Sequence, residues 1–166
     1  MQYTQRYDAG ITNLLQQLDD LDSGKRRQAR EQLLALGRHV TSWLVVLLAS
    51  RRCRLRREAA RVLTGISDPR SVPALVTALT DEDAVVRMWA VEALARLGRP
   101  ALIALLVLLI EHVDDPEMRD RVHEVLKECH DRRVQMQVAP LYRELSRAGG
   151  ACDVAEAAER VIKTLV

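Results

Sequence analysis

The stretch SVPALVTALTDEDAVVRMWAVEALARLG, residues 71 to 98, decides the fold. Its second half places apolar residues at Ala90, Leu94 and Leu97, the i, i+4, i+7 stripe of a helix with one buried face. Its first half, Val72 to Leu79, reads as a shorter apolar helix, and the Asp81 between the two is a residue type that caps helix N-termini. Two short helices with one apolar stripe each cannot close a core by themselves, so this unit predicts neighbours like itself.

The neighbours are present. The same stripe recurs at Ala29/Leu33/Leu36, Ala59/Leu63/Ile66, Val122/Leu126/Cys129 and, in a looser form, Ala158/Ile162/Leu165. Middle members of successive stripes are 30, 31, 32 and 36 residues apart. An arginine stands three residues before the first stripe member in four of the five copies, at Arg26, Arg56, Arg87 and Arg119. Each copy is preceded by an apolar helix: Ile11 to Leu18, Trp43 to Ala49, Val72 to Leu79, Ala101 to Ile110 and Val138 to Leu145. Asp115-Pro116 reads as a cap followed by a proline in the first helical turn, and Asp68-Pro69, Gly98, Pro100 and Gly149-Gly150 break the chain. The expected architecture is one all-α domain, 1–166, of five antiparallel helix pairs, with units 8–39, 40–69, 70–99, 100–133 and 134–166.

Residues 71 to 98 resemble the HEAT repeat in its short, phycobilisome-lyase-type form. The resemblance lies in Pro73, Leu75, Leu79, Asp81, the pair Val86-Arg87, the following Ala-Leu and the closing Leu-Gly. It implies a right-handed α-α superhelix, a HEAT-like solenoid of about five helix pairs. It also implies that the turn Asp and the repeated Arg bridge neighbouring units, which gives Arg26, Arg56, Arg87, Arg119 and Asp81 structural roles. The Asp81 position holds Asp20 in the first unit but Ser50 in the second and His112 in the fourth, so the ladder is expected to be interrupted there. The polar segment Met1 to Asp8 and the divergent fifth unit read as caps of a closed array.

Composition narrows the function classes. The chain has 166 residues, 48% hydrophobic and 29% charged, with a net charge of +2, which suits a single globular domain. Its longest apolar run, Ala101 to Ile110, is about half of the roughly 20 residues that cross a bilayer. The start, MQYTQRYDAG, lacks a basic and apolar leader, so a cytoplasmic protein without a membrane span is expected. Cys53, Cys129 and Cys152 are scattered without a C-x-x-C, which suggests neither a disulfide framework nor a zinc site. Phe is absent and aromatics make up 3%, so the core must be Leu, Val, Ala and Ile, with few platforms for stacking bases or flat cofactors.

The repeat register predicts three surfaces. Second helices of such arrays line the concave side, where Arg27, Arg57, Arg61, Met88, Trp89, Glu92 and Arg121 form a partner-binding row. Trp89 reads either as the anchor of an interface or as a large core residue. Charge is lopsided: residues 1 to 70 hold 13 Lys/Arg against 7 Asp/Glu. Lys25, Arg26, Arg30, Arg51, Arg52 and Arg54 concentrate it into a basic patch, fit for an acidic protein segment or for phosphates, or simply a solvated turn. On the convex side Trp43, Val46, Leu102, Leu105 and Leu108 stand where solvent is expected. Either another chain covers them, such as a second copy in a homodimer, or the helices rotate.

Signs of catalysis are sparse. His123-Glu124 is similar to the iron-binding His-Glu pairs of helical-repeat hydroxylases of the deoxyhypusine type, which use several such pairs where this chain has one. His112 and His130 flank it in sequence, and no phosphate loop, nucleophile elbow or helical H-E-x-x-H occurs. HEAT-like folds include DNA-alkylpurine glycosylases and bilin lyases. The expectation from sequence is therefore a non-catalytic protein-interaction scaffold without metal or cofactor. Nucleic-acid binding through the basic units ranks second, and a bilin lyase-like or metal-dependent enzyme third.

Overall fold

A computed structural model describes residues 2–147 and 150–165, with side chains from residue 9 onward. Ten α-helices follow one another: α1 Gln2–Gln17, α2 Ser23–Leu36, α3 Thr41–Leu48, α4 Cys53–Ile66, α5 Val72–Ala78, α6 Ala84–Leu97, α7 Arg99–Glu111, α8 Pro116–Glu128, α9 Arg132–Ser146 and α10 Ala151–Leu165. Short 3-10 turns, Gly37–Val40 and Pro69–Ser71, lead into α3 and α5. The described residues contain no strand. The side chains of the proposed N-terminal cap, Met1 to Asp8, and Gly149 of the expected glycine break lie outside the described residues.

The repeated stripe is what holds the stack. Ala29 and Leu33, Ala59 and Leu63, Ala90 and Leu94, and Val122 and Leu126 are all buried, each pair on the inner face of its helix. Burying a leucine side chain contributes about 1.5–3 kcal/mol, and the small alanines beside them let neighbouring helix axes approach closely. α2 packs on α4, α4 on α6 and α6 on α8, while α3 packs on α5 and α5 on α7. Two parallel rows result, one of first helices and one of second helices.

The turns repeat as closely as the helices do. Arg26, Arg56 and Arg87 each donate through Nη1 to a carbonyl six residues back, on Asp20, Ser50 and Asp81, at 2.8, 2.9 and 2.8 Å. At those same positions a side-chain oxygen accepts from the amide two residues on: Asp20 from Asp22, Ser50 from Arg52, Asp81 from Asp83. Ser50 therefore keeps the turn in the second unit although it lacks the carboxylate. The helix cap expected at Asp81 is corrected: Asp83 caps α6 by accepting from the amides of Val85 and Val86, and Asp81 shapes the turn before it. Asp115 caps α8 as its sequence predicts. Gly98 ends α6 at a φ of 59°, a left-handed conformation that costs a glycine little, and Ser67 takes a φ of 50° at the end of α4.

The last pair departs from the repeat. α10 packs against α7 rather than α8, and α9 packs against α8, so α9 extends the row of second helices and α10 the row of first helices. The order within the pair is inverted relative to the register read from sequence. This inversion corrects the expected convex apolar face, because α10 covers α7 from within the chain. Leu102 and Leu105 are 0% and 2% exposed, and Leu108 is half-buried against the core. Ile103 and Val107 face outward in their place. On α3, Trp43 and Val46 do lie at the surface, 37% and 71% exposed.

Candidate functional site

The row of second helices brings Arg61 and Trp89 together. Arg61 on α4 sets its guanidinium carbon 5.3 Å from the centroid of the Trp89 ring on α6. A guanidinium at this distance over an indole face is held by the ring quadrupole. Trp89 is half-buried, packed by one side against the core, and Met88 beside it is 52% exposed. Thr64 Oγ1 donates to the Trp89 carbonyl at 3.3 Å, a second tie between α4 and α6. Trp89 thus joins both sequence readings, an anchor in the core that also presents surface.

The remaining residues of that row are engaged nearby. Arg57 forks onto the Asp83 carboxylate, and this guanidinium holds Asp83 down to about 2. Arg27 pairs with Glu31, Glu92 with Arg96 and Arg121 with Glu117, each along its own helix. Such pairs along one helix surface individually contribute little.

The basic patch is mostly neutralised by acidic neighbours. Arg26 and Arg30 both reach Glu58 on α4, Lys25 pairs with Asp20, Arg52 with Asp19, and Arg54 donates to the Asp19 carbonyl. Arg51 is exposed. What sequence shows as a run of positive charge is largely a set of bonds between the first and second units.

Sequence reasoning missed a cleft that the inverted pair creates. Where α9 lies beside α8, Leu126, Lys127, Gln135, Val138, Ala139, Tyr142 and Arg143 enclose about 390 Å³. The Tyr142 ring leans on His123 of α8, with centroids 4.6 Å apart, and His123 Nε2 lies 3.1 Å from Ser146 Oγ. His123 is thereby occupied in joining α8 to α9. Among the described residues no three His, Cys, Asp or Glu side chains are placed to share a metal ion. Cys129 is buried, which pushes its thiol pKa up and away from thiolate chemistry.

The helix caps follow the rows only in part. Asp22, Asp83, Asp115 and Asp131 cap α2, α6, α8 and α9, each accepting from the first amides of its helix. No such side-chain cap precedes α3, α5 or α7. α4 of the second row starts on Arg52 without such a cap, so the Asp131 cap agrees with a second-row place for α9, and the packing of α9 on α8 is what sets it there.

Comparison with known proteins adds three findings. Residues 40–127 match the family model of HEAT repeats. Over 95 residues the chain is 34% identical to the bilin biosynthesis protein PecE of Mastigocladus laminosus, a match covering 56% of this chain and 35% of that protein. The chain therefore spans about one third of the length of that curated relative. A chain in the solved complex of CpcE and CpcF of phycocyanin lyase from Nostoc sp. PCC7120 shares the fold with a TM-score of 0.59. That likeness covers 95% of this chain and 99% of the other at 20% identity, and it establishes the all-α HEAT-like solenoid.

Two expectations from sequence are overturned by these relatives. The chain was expected to be a non-catalytic scaffold and not an enzyme. Its similarity to a protein of bilin biosynthesis reverses that order and puts the lyase reading, ranked third from sequence, first.

Proposed function

The chain belongs to the HEAT repeat family, and on that premise we propose that it is a subunit of a bilin lyase-type enzyme, acting with a second protein chain to attach an open-chain tetrapyrrole to an acceptor protein. The observation that carries this reading is the 34% identity to a bilin biosynthesis protein across 95 residues. The solved relative belongs to a complex of two different chains of a phycocyanin lyase, which supports a two-chain assembly.

The reading suits the surfaces of this chain. Its described residues offer a packed helical array with no cluster of metal-ligating side chains, so its contribution to the reaction is placement. Holding two reactants in register removes the entropic cost of their encounter, which accelerates a bimolecular step without any catalytic side chain. The Arg61–Trp89 pair with Met88 is the surface for the second protein chain: aromatic and arginine side chains, fixed by packing behind them, are the common anchors of interfaces. A cytoplasmic site for the reaction is part of the same proposal. No helix among the described residues is long and apolar enough to cross a membrane.

The test is a reconstitution. The purified chain, alone and with a partner lyase chain, is incubated with bilin and apo-phycocyanin, and bilin retained on the acceptor is read by fluorescence in a denaturing gel. Attachment faster than the spontaneous reaction, dependent on both chains, is the expected result. A rate unchanged by this chain with every partner lyase chain tried would sink the proposal.

A further inference from the structure

We infer that the cleft between α8 and α9 is where this chain holds the bilin, with Lys127 and Arg143 receiving its carboxylates and Tyr142 lying against its conjugated rings. The inference rests on the lyase-type reading for the identity of the ligand, and on the cleft itself for the place.

Three features of the cleft match this ligand. First, its walls are apolar and aromatic, from Leu126, Val138 and Tyr142, and its volume of about 390 Å³ falls within the roughly 300–1,000 Å³ typical of small-molecule sites. Second, Lys127 and Arg143 are both exposed beside it, and neither forms a salt bridge among the described residues. Arg143 donates through Nε to the Ala139 carbonyl at 3.3 Å, which holds its guanidinium along α9, and with Lys127 it puts two cationic groups on the lining of one cleft. They also lie in the half of the chain where acidic residues outnumber basic ones. Third, Gln135 donates its amide nitrogen to the Cys129 carbonyl at 2.7 Å, which fixes the group and leaves its oxygen as an acceptor.

A bilin offers the complementary set: a flat conjugated chain, two propionate carboxylates and pyrrole N–H donors. Charge-assisted bonds to two cations orient the chain, and the apolar wall excludes water from the rings. Tyr142 is itself held by His123, so the platform is in place before the ligand arrives. The Arg61–Trp89 pair on α4 and α6 is a separate surface, left free for a protein.

The experiment titrates the full chain with biliverdin and follows the visible absorption of the bilin. Three variants accompany the wild type: Lys127→Glu with Arg143→Glu, Lys127→Arg with Arg143→Lys, and Arg61→Glu. Saturable binding is expected, weakened about tenfold or more by the charge reversal and kept by the charge-preserving and Arg61 variants. Circular dichroism confirms that the exposed positions tolerate the changes. Absence of saturable binding by the wild type overturns the inference, and so does equal affinity in the charge-reversed variant. Bilin binding through the cleft without attachment in the reconstitution would remove the lyase reading alone. Attachment that ignores the charge reversal would remove the cleft alone.

Discussion

Arg56 grips Asp81 with both arms of its guanidinium, Nε at 2.8 Å from one carboxylate oxygen and Nη2 at 3.0 Å from the other. Its third donor, Nη1, closes on the Ser50 carbonyl, so one side chain ties the turn of its own unit to the turn of the next. Both partners are close to fully enclosed, with side-chain exposures of 8% and 11%. Arg56→Ala leaves Asp81 short of its partner and is expected to cost about 3 kcal/mol in urea unfolding, as for other enclosed pairs broken on one side. Arg56→Lys keeps the charge but not the fork, and should recover only part of that loss.

A second junction predicts a pH dependence. Asp68 accepts from Thr41 Oγ1 at 2.8 Å, and from Arg70 through both its side chain and its backbone. The Arg70 guanidinium is the main cause that holds Asp68 down to about 2, as Arg57 does for Asp83. Carboxylates depressed in the folded state add stability above their unfolded pKa, about 4, and that stability is lost as pH falls toward 2. Asp68→Asn with Asp83→Asn should therefore be less stable than wild type at pH 7, and the gap should close on titration from pH 4 to pH 2. A gap that is constant with pH would show that the ionised forms contribute nothing.

Ser67 occupies a left-handed backbone position, φ 50°, where α2 and α6 end on Gly37 and Gly98. A residue with a Cβ is destabilised by about 1 kcal/mol there. Ser67→Gly relieves it and loses the Ser67 Oγ donation to the Thr64 carbonyl, so a gain of about 0.5 kcal/mol is expected from thermal melts. A drop in melting temperature would show that the hydroxyl outweighs the strain.

Leu105 distinguishes an external interface from an internal one. Because α10 already covers α7, Leu105→Glu buries a charge inside the chain and should lower stability by about 3 kcal/mol or more. Light scattering on a folded, stable variant with a changed mass would instead place Leu105 between two chains.

The Arg61–Trp89 contact separates binding from folding. Trp89→Ala removes core packing and is expected to lower both stability and capture of a partner lyase chain. Arg61 is exposed, so Arg61→Glu should leave the melting temperature within about 2 °C of wild type while weakening capture by more than about 1 kcal/mol. Equal capture by this variant would remove the surface from the assembly.

The periodic stripes and the arginine that precedes them were enough, without coordinates, to establish the helix pairs, the stacked array and the buried members Leu33, Leu63, Leu94 and Leu126. A stripe shows that a helix has a buried face because spacing along a helix is local. It does not show which neighbour buries that face, because the identity of a neighbour depends on how the chain turns between helices. The inverted final pair was hidden for that reason, and with it the cover over Leu102 and Leu105 and the cleft beside Tyr142. Charge behaved likewise: Arg26, Arg30 and Arg52 read as one basic patch in sequence, and folding brought Glu58 and Asp19 to meet them. Lys127 and Arg143 stand on different helices, and only the packing of α9 against α8 brought both to one cleft.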